Sequence, residues 1–134
     1  MRPDYALGLR NLGMLQSKLG QWAKAADALH RAVTAEPGNP DGHHWLGNAL
    51  VRLQRPADAE AAYRAAIACR PDFAEAWCNL GNVLADHGLR DEAGRCMEQA
   101  LRIRPHYADA LVGMGNLYAA TGRLETAADR KSVV

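Results

Sequence analysis

At 134 residues, with sixteen basic side chains against fifteen acidic ones, the chain has room for one cooperative unit and no charge excess that would draw it to nucleic acid or a membrane surface. No apolar run is long enough to cross a bilayer, and the opening MRPDYALGLRNLG has the pattern of neither a signal peptide nor a transit peptide. Three cysteines, an odd number without paired metal-site spacing, argue against a disulfide framework and favour a reducing, cytoplasmic setting.

In chain order, the first predicted helix spans about Tyr5 to Leu19, with Leu9, Leu12, Gly13 and Leu15 facing inward and Gly20 ending it. A second helix carries Ala25, Leu29 and Ala32, and stops near Glu36 before the turn Pro37-Gly38-Asn39-Pro40. Pro40 opens the next helix, where its missing N–H costs nothing. There His43 stands where a large apolar residue is expected three before Leu46. Pro56 opens another helix, which presents Ala59, Tyr63 and Ala66. In the next, Trp77, Leu80, Gly81 and Leu84 fall at i, i+3, i+4 and i+7, on one helical face. Asp86-His87-Gly88 breaks it. A helix with Ala93, Met97 and Ala100 follows and stops before Pro105. The last unit carries Leu111, Met114, Gly115 and Tyr118, with a turn predicted at Gly122 and a new helix opening at Ala127. The pattern then fails over Asp129–Val134, where Lys131 takes the place of Leu29, Tyr63 and Met97.

Shifted by 34 residues, the chain superposes on itself. Leu12-Gly13, Leu46-Gly47, Leu80-Gly81 and Met114-Gly115 are successive steps, as are Ala25, Ala59, Ala93 and Ala127, and Pro3, Pro37, Pro71 and Pro105. This helix–turn–helix period, with W-x2-L-G…A-x3-F…P spacing, resembles the tetratricopeptide repeat (TPR) family over nearly the whole chain. The resemblance implies an all-α solenoid of antiparallel helix pairs in a right-handed superhelix, binding peptides or protein surfaces. The repeats are 6–39, 40–73, 74–107 and a partial 108–134.

Glycine inside a helix costs about 1 kcal/mol against alanine, so Gly13, Gly47, Gly81 and Gly115 need a compensation. We expect each to face the alanine of its partner helix, Ala25, Ala59, Ala93 or Ala127, so that two small residues let the backbones approach. We also expect both ends to be cut from a longer array. Pro3 sits where a preceding helix would exit, and the closing DRKSVV, which one frame of a common sequencing adapter also encodes, breaks the pattern. Apolar faces at Tyr5, Leu9 and Leu15, and at Leu111, Tyr118 and Leu124, would then favour head-to-tail self-association.

Opposite the core stripe, the first helix of each pair carries a second stripe. It reads Leu7, Asn11, Met14, Lys18; Asp41, Trp45, Asn48, Arg52; Glu75, Asn79, Asn82, Asp86; and Asp109, Gly113, Asn116, Ala120. The family resemblance implies that first helices line a concave groove. An asparagine amide offers donor and acceptor together, which suits the alternating N–H and C=O of an extended peptide. We therefore expect Asn11, Asn48, Asn79, Asn82 and Asn116, with Trp45 and Arg52, to form a peptide-binding groove. The plainer alternative is that the asparagines are simply solvated. Asp41, Glu75 and Asp109 sit in first turns, where carboxylates favour the helix dipole.

Asn79-Leu80-Gly81-Asn82, Leu46-Gly47-Asn48 and the phrase PDFAEAWCNLGNVL (Pro71 to Leu84) are similar to the TPR arms of O-linked N-acetylglucosamine transferases. That resemblance implies, as an alternative to a free-standing interaction module, the substrate-recognition arm of a larger glycosyltransferase. TPR receptors for acidic chaperone tails resemble one another in a carboxylate clamp, whose positions here hold Arg10, Met14, Trp45, Glu75 and Asn79. Only Arg10 is chemically close, and Glu75 would repel a carboxylate.

No catalysis, cofactor or metal is expected of the chain itself. His43 and His44 diverge by about 100° on a helix. His30, His87 and His106 lack partners at ligand spacing. Cys78 lies beside the groove stripe without a histidine placed to activate it. Small buried or half-buried roles are expected for Cys69, Cys78 and Cys96.

Overall fold

A computed structural model of the chain describes the backbone of residues 3–133 and the side chains of residues 5–120. Seven α-helices run through the described residues: α1 (Pro3–Lys18), α2 (Trp22–Ala35), α3 (Pro40–Arg52), α4 (Pro56–Cys69), α5 (Ala74–Asp86), α6 (Arg90–Ile103) and α7 (Ala108–Val133). None is long and apolar enough to cross a membrane. α1 packs on α2, α3 on α4 and α5 on α6, and each hairpin stacks on the next. α1 also touches α3, α3 touches α5 and α5 touches α7, whereas α2, α4 and α6 do not touch one another. Helices close together on one side and splayed on the other bend the array. Its inner face is built from α1, α3, α5 and α7.

Local chemistry sets the ends of these helices. Pro40 and Pro56 occupy first positions, and the Asn39 side chain caps α3 by accepting the Asp41 N–H at 2.9 Å. Each hairpin turn closes with the same bond, from Gln21 N to Gln16 O at 2.8 Å, Arg55 N to Leu50 O at 2.9 Å and Leu89 N to Leu84 O at 2.9 Å. That bond requires a left-handed residue just before its donor. Gly20 (φ 75°) and Gly88 (φ 79°) supply it in two turns; in the other, Gln54 adopts φ 57° despite its side chain.

The packing of each pair corrects one expectation. A Cβ at Gly47 would meet the Tyr63 ring, 2.5 Å from Cε1, and one at Gly13 would collide with the Leu29 side chain. At Gly81 the nearest atom is Met97 Cε at 2.9 Å, with the Ala93 carbonyl at 3.2 Å. The glycines therefore do not chiefly face the alanines; they receive the large side chain that lies four residues beyond each alanine. Ala25, Ala59 and Ala93 are fully buried beside that crossing. Leu29, Leu46, Leu50, Tyr63, Leu80 and Leu84 join them in one core that runs through the first three hairpins.

His43 has a role its apolar counterparts did not suggest. Its Nε2 lies 2.8 Å from the Pro37 carbonyl, as the Trp77 indole Nε1 lies 2.8 Å from the Pro71 carbonyl, one repeat later. Two different rings satisfy the same exposed carbonyl at the helix exit.

The fourth unit departs from expectation. No turn forms at Gly122, and no separate helix opens at Ala127, because α7 runs unbroken from Ala108 to Val133. A hairpin turn is held by packing of the returning helix, and the position of Leu29, Tyr63 and Met97 is taken here by Lys131. The side chains of Leu124, Ala127 and Lys131 lie outside the described residues. With no returning helix among the described residues, Leu111 and Tyr118 (66 % exposed) lie open and a Cβ at Gly115 would meet nothing within 4 Å. Leu12 and Leu15, expected inward, are also exposed. The counterparts of Leu12 (Leu46 and Leu80) and of Leu15 (Ala49 and Val83) are buried where α3 and α5 pack on the second helix of the preceding pair, and among the described residues α1 has none before it.

Three substitutions test these packing and turn assignments by urea unfolding. Gly47→Ala should destabilise by about 1–3 kcal/mol through the rigid Tyr63 ring. Gly94→Ala, whose Cβ meets nothing within 4 Å, should instead stabilise by up to about 1 kcal/mol. Gln54→Gly should raise stability by about 1 kcal/mol by relieving the left-handed backbone.

Candidate functional site

Between α3 and α5 the inner face opens into a cleft of about 260 Å³, lined by Trp22, Asn48, Val51, Arg52, Tyr63, Asn79, Asn82, Val83 and Asp86. It brings together Asn48, Arg52, Asn79 and Asn82 of the expected set. Asn11 and Asn116 are exposed on α1 and α7 and do not line this cleft. Trp45 is half-buried and packs against the core instead of lining the cleft. Gly113, the counterpart of Asn79 on α7, lies against Met97, so Asn82 has no amide neighbour there like the one Asn48 has in Asn79.

The asparagines are wired to one another. The Tyr63 hydroxyl donates to Asn48 Oδ1 at 2.6 Å, Asn79 Nδ2 donates to the same oxygen at 3.2 Å, and Asn79 Nδ2 lies 3.0 Å from His44 Nε2. Tyr63 belongs to α4, on the far side of α3, and reaches this network through the gap that Gly47 leaves. The His44 ring lies 4.8 Å from the Phe73 ring, tilted by 51° to it. Burial lowers its pKa from 6.5; Glu75 and Asp41 act against this and Arg70 adds to it, so the ring is neutral at pH 7. The Arg52 guanidinium lies 4.9 Å over the Trp22 ring at the mouth of the cleft.

The carboxylates are occupied or placed at helix starts. Burial pushes the Glu75 pKa up, but a backbone hydrogen bond and the Arg104 guanidinium at 2.7 Å outweigh it, and the carboxyl stays below its usual range. Asp41, Glu75 and Asp109 all lie in first turns. Of the clamp positions, Arg10 is paired with Glu36 at 3.4 Å.

Sequence reasoning missed Trp22, Val51, Tyr63, Val83 and His44. One signal was present: among Leu29, Tyr63 and Met97, only tyrosine carries a polar tip. A larger hollow of about 600 Å³ lies among α2, α3 and α4, walled by alanine and leucine, including Ala26, Ala62, Leu46 and Leu50, and by Asp27, His30, Arg55 and Asp58. Cys78 and Cys96 are buried, and burial, with Asp109 and Glu75, pushes the Cys78 thiol up to about 11. Cys69, expected to be at least half-buried, is exposed, with Sγ 3.5 Å from the Pro37 carbonyl. Among the described residues no three His, Cys, Asp or Glu side chains cluster as metal ligands.

A family profile described as tetratricopeptide repeat matches residues 10–74, 46–94 and 78–130. None of the curated proteins matches the chain. Among solved structures, the chain is similar to the first TPR domain of human RPAP3, at 25% identity and a TM-score of 0.86, covering 93% of this chain and 98% of that one. It is similar to MamA at 26% identity and a TM-score of 0.85, covering 90% and 70%. The first TPR of Spaghetti (RPAP3), bound to the HSP90 peptide SRMEEVD, shares the fold with a TM-score of 0.87 at 24% identity, covering 91% and 97%.

Removing only the hydroxyl that ends the amide network gives a direct check. Tyr63→Phe should cost about 0.5–1.5 kcal/mol in urea unfolding. It should also shift the Asn48 side-chain amide signals in NMR spectra.

Proposed function

The chain belongs to the tetratricopeptide repeat family, and from that premise we propose that it is a protein-interaction module whose inner groove holds an extended peptide. The observation that carries this reading is the meeting of Asn48, Asn79 and Asn82 with Trp22, Val51 and Val83 in one cleft. Amides there match the backbone of a peptide, and the apolar walls cover its side chains. Arg52 and Asp86 at the same cleft give it a cationic and an anionic contact. The module acts by binding; the buried Cys78 thiol, held far above neutral pH, is no nucleophile. Three free thiols suit a reducing compartment such as the cytoplasm.

The chemistry disfavours an acidic tail of the kind bound to the Spaghetti domain. Arg10 is already engaged by Glu36, and Glu75 places a carboxylate at another clamp position. The arm of an O-GlcNAc-type glycosyltransferase rests on the LGN strings and the phrase from Pro71 to Leu84, and draws no support from the neighbours described above.

Panning a random peptide library on the immobilised chain tests the groove. Asn82 and Arg52 are exposed, so their loss should leave the fold intact. The double variant Asn82→Ala, Arg52→Ala should weaken selected peptides about tenfold or more, the loss of one or two hydrogen bonds, with thermal melting unchanged. Selected peptides that bind this variant as tightly as the native chain would sink the proposal.

A further inference from the structure

A hydrogen-bonded chain crosses the groove from His44 through Asn79 and Asn48 to Tyr63, and each of its links has a direction. Asn79 Nδ2 has two hydrogens, one for His44 Nε2 at 3.0 Å and one for Asn48 Oδ1 at 3.2 Å. Asn48 Oδ1 accepts a second bond, from the Tyr63 hydroxyl. Two amide atoms then remain for a ligand, Asn48 Nδ2 as donor and Asn79 Oδ1 as acceptor. Among the described residues the buried side-chain polar atom left unpaired is Gln16 Oε1, so these two groove atoms reach solvent.

This order hangs on one ring nitrogen. Nε2 accepts only while it carries no proton, which places the proton of the neutral ring on Nδ1. With a proton on Nε2 the nitrogen must donate instead. Asn79 then turns Oδ1 toward His44, and Asn48 turns Nδ2 toward both Asn79 and the Tyr63 oxygen. The hydroxyl can accept as well as donate, so every link survives with its direction reversed. The groove atoms swap accordingly: Asn48 now presents an acceptor and Asn79 a donor. Leu29 and Met97, at the positions equivalent to Tyr63, have no group that could end such a chain.

We infer that His44 is a positioning residue that sets the donor–acceptor order of the groove, so that a peptide backbone held at neutral pH through Asn48 as donor and Asn79 as acceptor is released when Nε2 is protonated. The inference rests on the groove being the peptide site proposed above. The groups around the ring come from several elements: Asp41 on α3, Glu75 on α5 with its partner Arg104, Arg70 after α4, and the Tyr63, Phe73 and Trp45 rings. Because burial outweighs the two carboxylates, the folded pKa lies below 6.5 and the change of order falls on the acid side of that value.

Two measurements on the full chain test this. Long-range proton–nitrogen NMR correlation reads the tautomer without a ligand, and at about pH 7.5 it should find Nδ1 protonated and Nε2 bare. A neutral ring protonated on Nε2 would overturn the inference. The second is affinity for a library-selected peptide free of Asp, Glu and His, which should fall about tenfold between about pH 7.5 and about pH 5. His44→Gln, whose amide can donate or accept, should flatten that profile. A flat native profile, or a steep one kept by H44Q, refutes the role of His44 and leaves the groove reading standing. A chain that binds no library peptide removes the groove reading, and the tautomer spectrum still decides which way Asn79 points. Should H44Q not fold, the native pH profile and the tautomer decide.

Discussion

In each hairpin the first helix omits a side chain at one position, and the second helix fills the gap with a large one. Gly13 receives Leu29, Gly47 receives Tyr63 and Gly81 receives Met97. These crossings hold the two backbones close, bury Ala25, Ala59 and Ala93 completely and tie three hairpins into one core. The groove depends on them too. Tyr63 belongs to the outer layer of helices, and only the missing side chain at Gly47 lets its hydroxyl reach Asn48 on the inner face.

Much of this architecture was legible because a solenoid writes its period into the chain. A step of 34 residues aligns glycine, alanine and proline at fixed places, and that alignment locates six helices and their turns. What stayed hidden depends on neighbours that periodicity cannot name. The recurring alanines stood out as partners for the glycines, yet the glycine space is filled from four residues further along. His43 broke the apolar pattern, although its ring nitrogen bonds the Pro37 carbonyl as the Trp77 indole bonds Pro71. Gly122 repeats the position of Gly20 and Gly88, but a turn also needs a returning helix worth packing, and α7 continues instead.

The asparagine stripe shows the same limit at the site. Spacing placed Asn48, Asn79 and Asn82 on one face, and the structure gathers them in one cleft. Spacing could not show that two of them are held by each other, by a histidine and by a tyrosine from another helix. An amide tied at one end is no longer a free rotor: for a given state of the His44 ring it offers a ligand one polarity and loses little entropy on binding. Asn82, exposed and opposite Gly113, keeps the freedom that Asn48 and Asn79 have given up.

The unequal spacing of the two layers has a mechanical consequence. α1, α3, α5 and α7 touch in sequence, while α2, α4 and α6 stand apart. The outer helices can therefore tilt toward or away from one another without breaking a contact among themselves, and the joints that take up the tilt are the seams where α2 packs on α3, α4 on α5 and α6 on α7. Such an array should flex as a leaf spring with one joint between each pair of leaves. Its curvature, and with it the width available to a bound chain, adjusts by small rotations shared among several joints, while the core of each hairpin stays rigid.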